Sequence, residues 1–374
     1  MIEGIIPVEI ATEGTAIRAT LKDGGPAARS AARALRAAGT RRVYVIGNGT
    51  SYHSALAAAT AYRRIATAGD PTVVPLGAGE FSHYLPALGE GDAVIGISAS
   101  GEFRDVVVAF EELRGRVPTV GIIHVPGSTL SHSADHSVVS AGGPSQVPVM
   151  TKTFVATLAA TQLVLGELLG DQRAAAVRDA LGGAAGDVDA AVEAAMPRVE
   201  RLADELIDAE HIFVVGSGNA TAAALEAALK LKEMAIVHAE GAESWELATG
   251  AATIVGPGTV VIALAPNGPG REATLDVARH AAGWGARIVE VGPGMGPGGG
   301  PGAGPAVEGA AHLPIPATSA EDYSPLVAVA PVALLAFVLA RRRGKNPDRP
   351  DWVERYHSQG LRHIVGVDTQ AEVD

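Results

Sequence analysis

The chain has 374 residues, 47% hydrophobic and 19% charged, enough apolar material to bury a large core and to build two domains rather than one. Its 41 acidic and 29 basic residues leave a formal charge of -12, which argues against nucleic acid as a partner, and the absence of cysteine excludes disulfides, thiolate metal sites and a cysteine nucleophile. The opening MIEGIIPVEIATEG has no basic flank leading into an apolar run, so no secretory signal is predicted and the expected location is cytoplasmic.

In chain order, RVYVIG from Arg42 reads as a buried strand, GNGTS (47–51) as the loop after it and YHSALAAATA as a helix. A second such strand, DAVIGIS (92–98), runs into SASGE (98–102) and another helix. Alanine-rich segments at 151–170, 173–182 and 185–209 read as helices without a flexible linker. The pattern then returns as HIFVVG from His211 with the loop GSGNA, and as TVVIAL from Thr259 with the loop APNGPG, each followed by a helix. The stretch GPGMGPGGGPGAGP (292–305) can be neither helix nor central strand and reads as a mobile surface loop. PLVAVAPVALLAFVLA (325–340) is short for a membrane span and contains Pro331, so it reads as a buried core helix and no membrane partner is expected. After Arg343 the tail GKNPDRPDWVERYHSQGLRH is too rich in proline and charge to be core.

Two pairs of segments match at nearly the same offset. RVYVIGNGTSYHSALAAATA pairs with HIFVVGSGNATAAALEAALK, and DAVIGISASGEFRDVVVAFEELRG with TVVIALAPNGPGREATLDVARHAAG. Strand, glycine loop and helix repeated in order predict an α/β protein of two doubly wound, parallel-sheet domains related by internal duplication. The expected divisions are an N-terminal segment 1–24, a first domain with connecting helices 25–196, a second domain 197–342 and a tail 343–374 that closes the site.

Ligands of open α/β sheets sit where strands give way to helices. The candidates are Asn48, Gly49, Thr50 and Ser51 in one loop and Ser98, Ala99 and Ser100 in the other. Hydroxyls and backbone amides beside glycine suit a phosphate monoester, although serine and glycine are also ordinary helix-capping residues. The duplicate of Ser98-Ala99-Ser100 is Ala265-Pro266-Asn267, so only the first half is expected to hold an oxyanion. GNGTSY lacks the third glycine of a dinucleotide fingerprint, no P-loop is present, and no histidine cluster has metal-ligand spacing. No metal and no cofactor are expected.

The helix ALEAALKLKEMAIVHAE places Glu226, Lys230 and Glu233 at intervals of four and three, on one face, with Lys232 elsewhere. Such a stripe is either an exposed ion-pair ladder or, if buried, a site that needs partners or a ligand.

GNGTSYHS, GEFSHY, ISASGE, VPGSTL, MTKTF, ALEAALKLKE, VHAEG and NPDRP together resemble the sugar isomerase (SIS) domain family. The likeness is to the tandem-domain, flavodoxin-like isomerase portion of glucosamine-6-phosphate synthases and to glucosamine-6-phosphate deaminases, and it covers nearly the whole chain. The resemblance implies a phosphosugar ligand, phosphate contacts from Ser51, Ser98 and Ser100 with Thr50 nearby, and Glu233 as the base that moves a proton through an enediol or enolamine. It implies that Lys230 orients that base, that Arg355 falls near the tail lysine of the family, and that the protein is a homodimer with its site near the subunit interface. The synthase's glutaminase half is missing, so nitrogen transfer from glutamine is not expected of this chain alone.

Three departures stand out. The family threonine of SQSGET is Phe103, the ring-opening histidine of GELKHGP is Thr249 with Glu246 retained, and the small residues of VASTK are replaced in PVMTK by Pro148 and Met150. A bulky Phe103 could fill space around the ligand, Arg104 could restore an anion contact, and His238 or His357 could replace the missing acid. The expected activity is that of a phosphosugar isomerase or aminosugar-phosphate deaminase. Alternatives are a deglycase of a phosphorylated sugar-amine adduct and a non-catalytic phosphosugar-binding protein.

Overall fold

The computed structural model describes residues 2–84, 86–294 and 304–354. In chain order, helices α1 (Ile5–Ala11), α2 (Glu13–Ala19) and α3 (Gly25–Ala37) precede β1 (Arg42–Gly47), α4 (Thr50–Ile65), β2 (Thr72–Gly77), α5 (Ala78–His83), β3 (Asp92–Ser98), α6 (Arg104–Leu113), β4 (Thr119–Ile123), α7 (Thr129–Ser133) and β5 (His136–Val139). Two long helices follow, α8 (Lys152–Leu168) and α9 (Asp171–Glu205). Then come β6 (His211–Gly216), α10 (Ala220–Lys230), β7 (His238–Glu243), α11 (Ser244–Thr249), β8 (Thr259–Leu264), α12 (Arg271–Gly283), β9 (Arg287–Gly292), β10 (Ala311–Pro314) and α13 (Ser324–Arg342).

These elements form two compact units that are not continuous in sequence. Of the described residues, one comprises those in 19–143, 156–178 and 351–354; the other comprises those in 2–18, 144–155 and 179–350. The first holds a five-stranded sheet in the order β2-β1-β3-β4-β5, every neighbouring pair parallel. Its central strand β3 is buried throughout, which is why DAVIGIS reads as an almost unbroken apolar run rather than an alternating one. Tyr44, Ile46, Phe81, Val94, Phe110 and Leu130 meet in its core.

The second unit repeats the topology. Its sheet runs β7-β6-β8-β9-β10, again all parallel, so each sheet places its first strand between its second and third. The repeat extends to glycine: a Cβ on Gly47, at the end of β1, would lie 2.7 Å from Ser51, and one on Gly216, at the end of β6, 2.6 Å from Ala220. In both places the chain turns into a helix packed tightly over the strand it has just left.

Helix α13 is buried from Ser324 to Ala340 and serves as a core helix of its unit, as its composition predicts. Pro331 is accommodated inside it. Helix α1 packs on α13, and its first amides are capped from the NPDRP segment: Ile5 N and Ile6 N donate to Asp348 at 3.1 and 2.9 Å. Helix α9 differs from expectation. The break foreseen near 183 is absent, and the helix runs unbroken through Gly182, Gly183 and Gly186. Leu181, Ala184, Ala185 and Val188 are buried at helical spacing, and that packing outweighs the weak propensity of the glycines. The low-complexity stretch falls largely, at 295–303, outside the described residues.

Candidate functional site

In the β1–β5 unit the corner after β3 is built by its own hydroxyls. Ser98 is buried, and its Oγ accepts from Gly101 N at 3.1 Å and from Phe103 N at 3.4 Å. A hydroxyl has two acceptor sites and one proton, so these two bonds leave the Ser98 proton unused. Ser100 Oγ accepts from Glu102 N at 3.2 Å. The Glu102 carboxylate holds the neighbouring loop by accepting from Thr129 N at 2.8 Å and from Thr129 Oγ1 at 2.6 Å.

The corner after β1 lies beside it in the sheet. Thr50 and Ser51 begin α4 and are buried, and Gly49 takes the left-handed conformation, φ +52°, just before them. Asn48 ties this corner inward: its Oδ1 accepts from Ala78 N at 3.1 Å and its Nδ2 donates to Asp105 at 3.2 Å. Asn48 thus holds the loop in place.

Phe103 is the residue before α6, and its half-buried ring packs against the core cluster of this unit. Its position explains itself as packing. Phe103→Thr is expected to lower stability by roughly 1–2 kcal/mol, less than a full aromatic deletion because the ring is only partly buried and threonine is a better N-cap. Its affinity for hexose 6-phosphates is expected to match the parent's. Denaturant unfolding and a binding isotherm on the same sample check both halves, and markedly tighter binding would place the ring in the cradle instead. Arg104 is exposed at the first position of α6.

In the β6–β10 unit the acid–lysine stripe is no surface ladder. Lys230 Nζ lies 3.1 Å from Glu226 Oε1 and donates to Glu233 Oε2 at 2.6 Å. The side chains of Lys230 and Glu226 are 1% and 0% exposed, while that of Glu233 is 24% exposed. Burial alone would push the lysine down, but the charges and hydrogen bonds of the two glutamates outweigh it and hold Lys230 above the ordinary lysine range. The stripe therefore runs from a closed interior acid, through a fixed cation, to an acid that solvent can reach.

Local backbone reinforces this geometry. Helix α10 ends at Lys230, and the chain continues as a π-helical turn, Leu231–Ala235, that carries Glu233. Ile236 follows at φ +50°, a conformation a β-branched residue adopts only under constraint. π turns are concentrated at functional sites, where they re-aim a side chain without ending the helix. Lys232 points outward, as expected.

The sequence reading missed one member of this cluster. Glu13 of α2 is 3% exposed and its Oε2 has no hydrogen-bond partner among the described residues. Burial first, then the charges of Glu9 and Glu226, raise its pKa well above the usual carboxylate value, against the opposing pull of Lys230. The available signal was its place on the stripe Ile6, Ile10, Glu13, Ile17, whose other members are fully buried. Glu9, also buried, is satisfied: it accepts from Gln146 N at 3.1 Å and from Ser145 Oγ at 3.2 Å, and lies 3.7 Å from Lys152.

A carboxyl raised on folding favours the native state most below its unfolded pKa and progressively less as pH rises toward its folded value. Glu13→Gln, which keeps the shape of the neutral acid, is therefore expected to make the protein more stable than the parent at pH 7. That gain should vanish below about pH 4, where the acid is protonated in both states. Melting curves across pH read the difference directly, and a variant less stable at pH 7 would mean that Glu13 is ionised.

The remaining candidates are spread out. Glu246 is exposed on α11, and Thr249, also exposed, donates to Trp245 O at 2.8 Å. His238 is exposed at the start of β7, its ring edge-on to His211. Arg355 and His357 lie outside the described residues.

Comparison with known proteins accords with this architecture. The SIS domain family matches residues 37–165 and 205–291, more than half of the chain, and the chain belongs to that family. Its curated relatives include the isomerizing glutamine–fructose-6-phosphate aminotransferases of Gloeobacter violaceus, 34% identical over 318 residues, and of Methanothermobacter thermautotrophicus, 30% identical over 312. Each alignment covers 83% of this chain and 50% of the relative, so the chain spans about half the length of the relatives it matches. Among solved structures, the C-terminal domain of glucosamine-fructose-6-phosphate aminotransferase from Francisella tularensis has a TM-score of 0.80 at 23% identity, over 93% of this chain and 99% of that one. Glucosamine-6-phosphate deaminase from Thermotoga maritima has a TM-score of 0.69 at 21% identity, over 93% and 98%. These two likenesses establish the fold.

Proposed function

We propose that the chain is a sugar-phosphate isomerase or aminosugar-phosphate deaminase in which Glu233 is the proton-transfer base. The observation that carries this reading is the buried Lys230, bonded at 2.6 Å to the more accessible Glu233 and backed at 3.1 Å by Glu226. A sugar-binding protein without chemistry has no need of a carboxylate fixed in this way. The names of the four relatives given above, which concern fructose 6-phosphate or glucosamine 6-phosphate, support the substrate class.

In the open-chain sugar the hydrogen on the carbon beside the carbonyl is acidic. The Glu233 carboxylate removes it, leaving an enediol from a hydroxy sugar or an enolamine from an amino sugar, and returns it to the adjacent carbon. Return to C1 of the enolamine gives an imine at C2, which water hydrolyses to the ketose and ammonia. Lys230 keeps Glu233 in one orientation and supplies a fixed positive charge beside the reacting carboxylate. The phosphate is recognised by the hydroxyls and amides of Ser51, Ser98 and Ser100, without a lysine.

Among the described residues, the position of the family's ring-opening histidine is not equipped for that step. The Thr249 hydroxyl gives its proton to a backbone carbonyl, and an alcohol is a poor proton donor near neutral pH. Open-chain substrates are accordingly preferred in this reading. The test is solvent exchange: fructose 6-phosphate or glucosamine 6-phosphate in deuterated buffer should acquire deuterium at the carbon next to the carbonyl. A phosphosugar that binds and stays unlabelled, across hexose, pentose and aminosugar phosphates, would remove the enzymatic reading and leave a binding protein.

A further inference from the structure

Internal duplication endows the chain with two corners of the same kind, and they are not filled alike. In the β6–β10 unit the loop after β6, Ser217 to Asn219, and the loop after β8, Asn267 to Gly270, correspond to GNGTS and SASGE. β6 and β8 are parallel neighbours, so both loops emerge at one end of the sheet, ahead of α10 and α12. Glycine-rich loops entering helices leave amides facing outward without Cβ cover, an arrangement that takes an oxyanion.

Here the space holds part of the chain itself. Gly270 N donates to Glu321 Oε2 at 2.7 Å. A Cβ on Gly268 would lie 2.6 Å from that oxygen and one on Gly270 3.0 Å, while one on Gly218, at φ +61°, would collide with Glu321 Oε1. Glu321 is only 7% exposed. We propose that this corner is a second oxyanion cradle, of common descent with the one at Ser98, and that the Glu321 carboxylate is its built-in ligand, restricting the chain to a single phosphate.

The surrounding contacts fit a ligand held in place by its own strap. Asn267 Nδ2 donates to Ala317 O at 2.6 Å, Glu321 N to Asn267 O at 2.9 Å and Asn219 Nδ2 to Asp322 O at 2.6 Å, so both loops grip the segment on either side of the carboxylate. A second acid, Glu243, accepts from Ser217 Oγ at 2.7 Å and so ties that side chain back to the end of β7. Arg271 turns inward: Nη1 donates to Ala265 O and Nη2 lies 3.6 Å from the buried Glu290. Three residues ahead of α13 stands Glu321; three ahead of α8, its counterpart in the duplication, stands Val149. The first half has no acid at that position of the chain.

Inorganic phosphate is the probe, titrated calorimetrically at ionic strength matched with chloride. Glu321→Ala is expected to take one equivalent more than the parent, at least tenfold tighter than any secondary binding the parent shows. The quantity read is the difference between the two proteins, so it is independent of whether the Ser98 corner binds phosphate. A folded Glu321→Ala protein that gains no equivalent overturns the proposal. If that variant does not fold, Glu321→Gln keeps an acceptor for Gly270 and removes the charge. Phosphate is then expected to raise its melting temperature by several degrees more than the parent's, because a neutral amide is the weaker competitor. Equal shifts in the two proteins overturn the proposal as well.

Discussion

Glu233→Gln is expected to abolish deuterium uptake into fructose 6-phosphate or glucosamine 6-phosphate while leaving phosphosugar affinity within a few-fold of the parent. The glutamine amide still accepts from Lys230, so the pair geometry at 2.6 Å survives, but it cannot take a proton from carbon. General-base catalysis contributes roughly 10²–10⁴-fold, and the loss of exchange should reach at least that range. Parallel measurement of exchange by NMR and of affinity by calorimetry separates the two effects. Exchange at the parental rate would take Glu233 out of the mechanism, whereas loss of affinity together with exchange would make it a binding residue. Its position in a π turn, followed by the strained Ile236, makes the carboxylate the re-aimed group.

Lys230→Met should have the largest effect on stability of any single change in the cluster. The substitution fills the volume of the side chain but leaves Glu226, 0% exposed, without the cation 3.1 Å away. Breaking a buried pair by removing one partner costs about 3–5 kcal/mol, because the remaining charge must stay buried unpaired or take up a proton. Chemical denaturation at neutral pH reads that loss, and a decrease below about 1 kcal/mol would show that water reaches the pair.

The pH dependence carries its own signature. Lys230 is raised above its unfolded value, so its contribution is complete below the unfolded lysine pKa of about 10.4 and is lost as pH climbs through the folded value above it. In the variant that alkaline loss disappears, while protonation of Glu226 restores stability on the acid side. The gap between the two proteins should be widest at neutral pH and close in both directions. Activity should fall with stability, and Lys230→Arg should not restore it, since a planar fork cannot occupy the space of a buried ammonium.

Much of this was legible in the sequence, for reasons of period and proximity. DAVIGIS and TVVIAL are buried on both faces and so read as apolar runs, and the repeated strand–glycine–helix order leads to the doubly wound topology that both sheets show. Lys230 and Glu233 are three residues apart, and a contact at that spacing needs only one turn of helix. The serine corners were equally visible, because Ser98 and Ser100 bond to amides within five residues of themselves. The continuous α9 was not: two helices, 173–182 and 185–209, were expected where packing of Leu181, Ala184, Ala185 and Val188 carries a single one.

By itself, then, the sequence determined the family, the duplicated parallel sheets, the corners and the order of acids and lysine along one helix face. All of these rest on local spacing, which survives in the unfolded chain as a pattern. Tertiary structure alone decided the electrostatics. The same Glu–Lys spacing is a weak surface ladder in water and a strongly coupled cluster when buried, and only folding brings Glu13 close enough to Lys230 to feel its charge. It also brought Glu321 to Gly270, 51 residues apart along the chain, a contact that no local spacing forecasts. Dielectric and long-range closure are properties of the folded chain, and no spacing in the sequence encodes them.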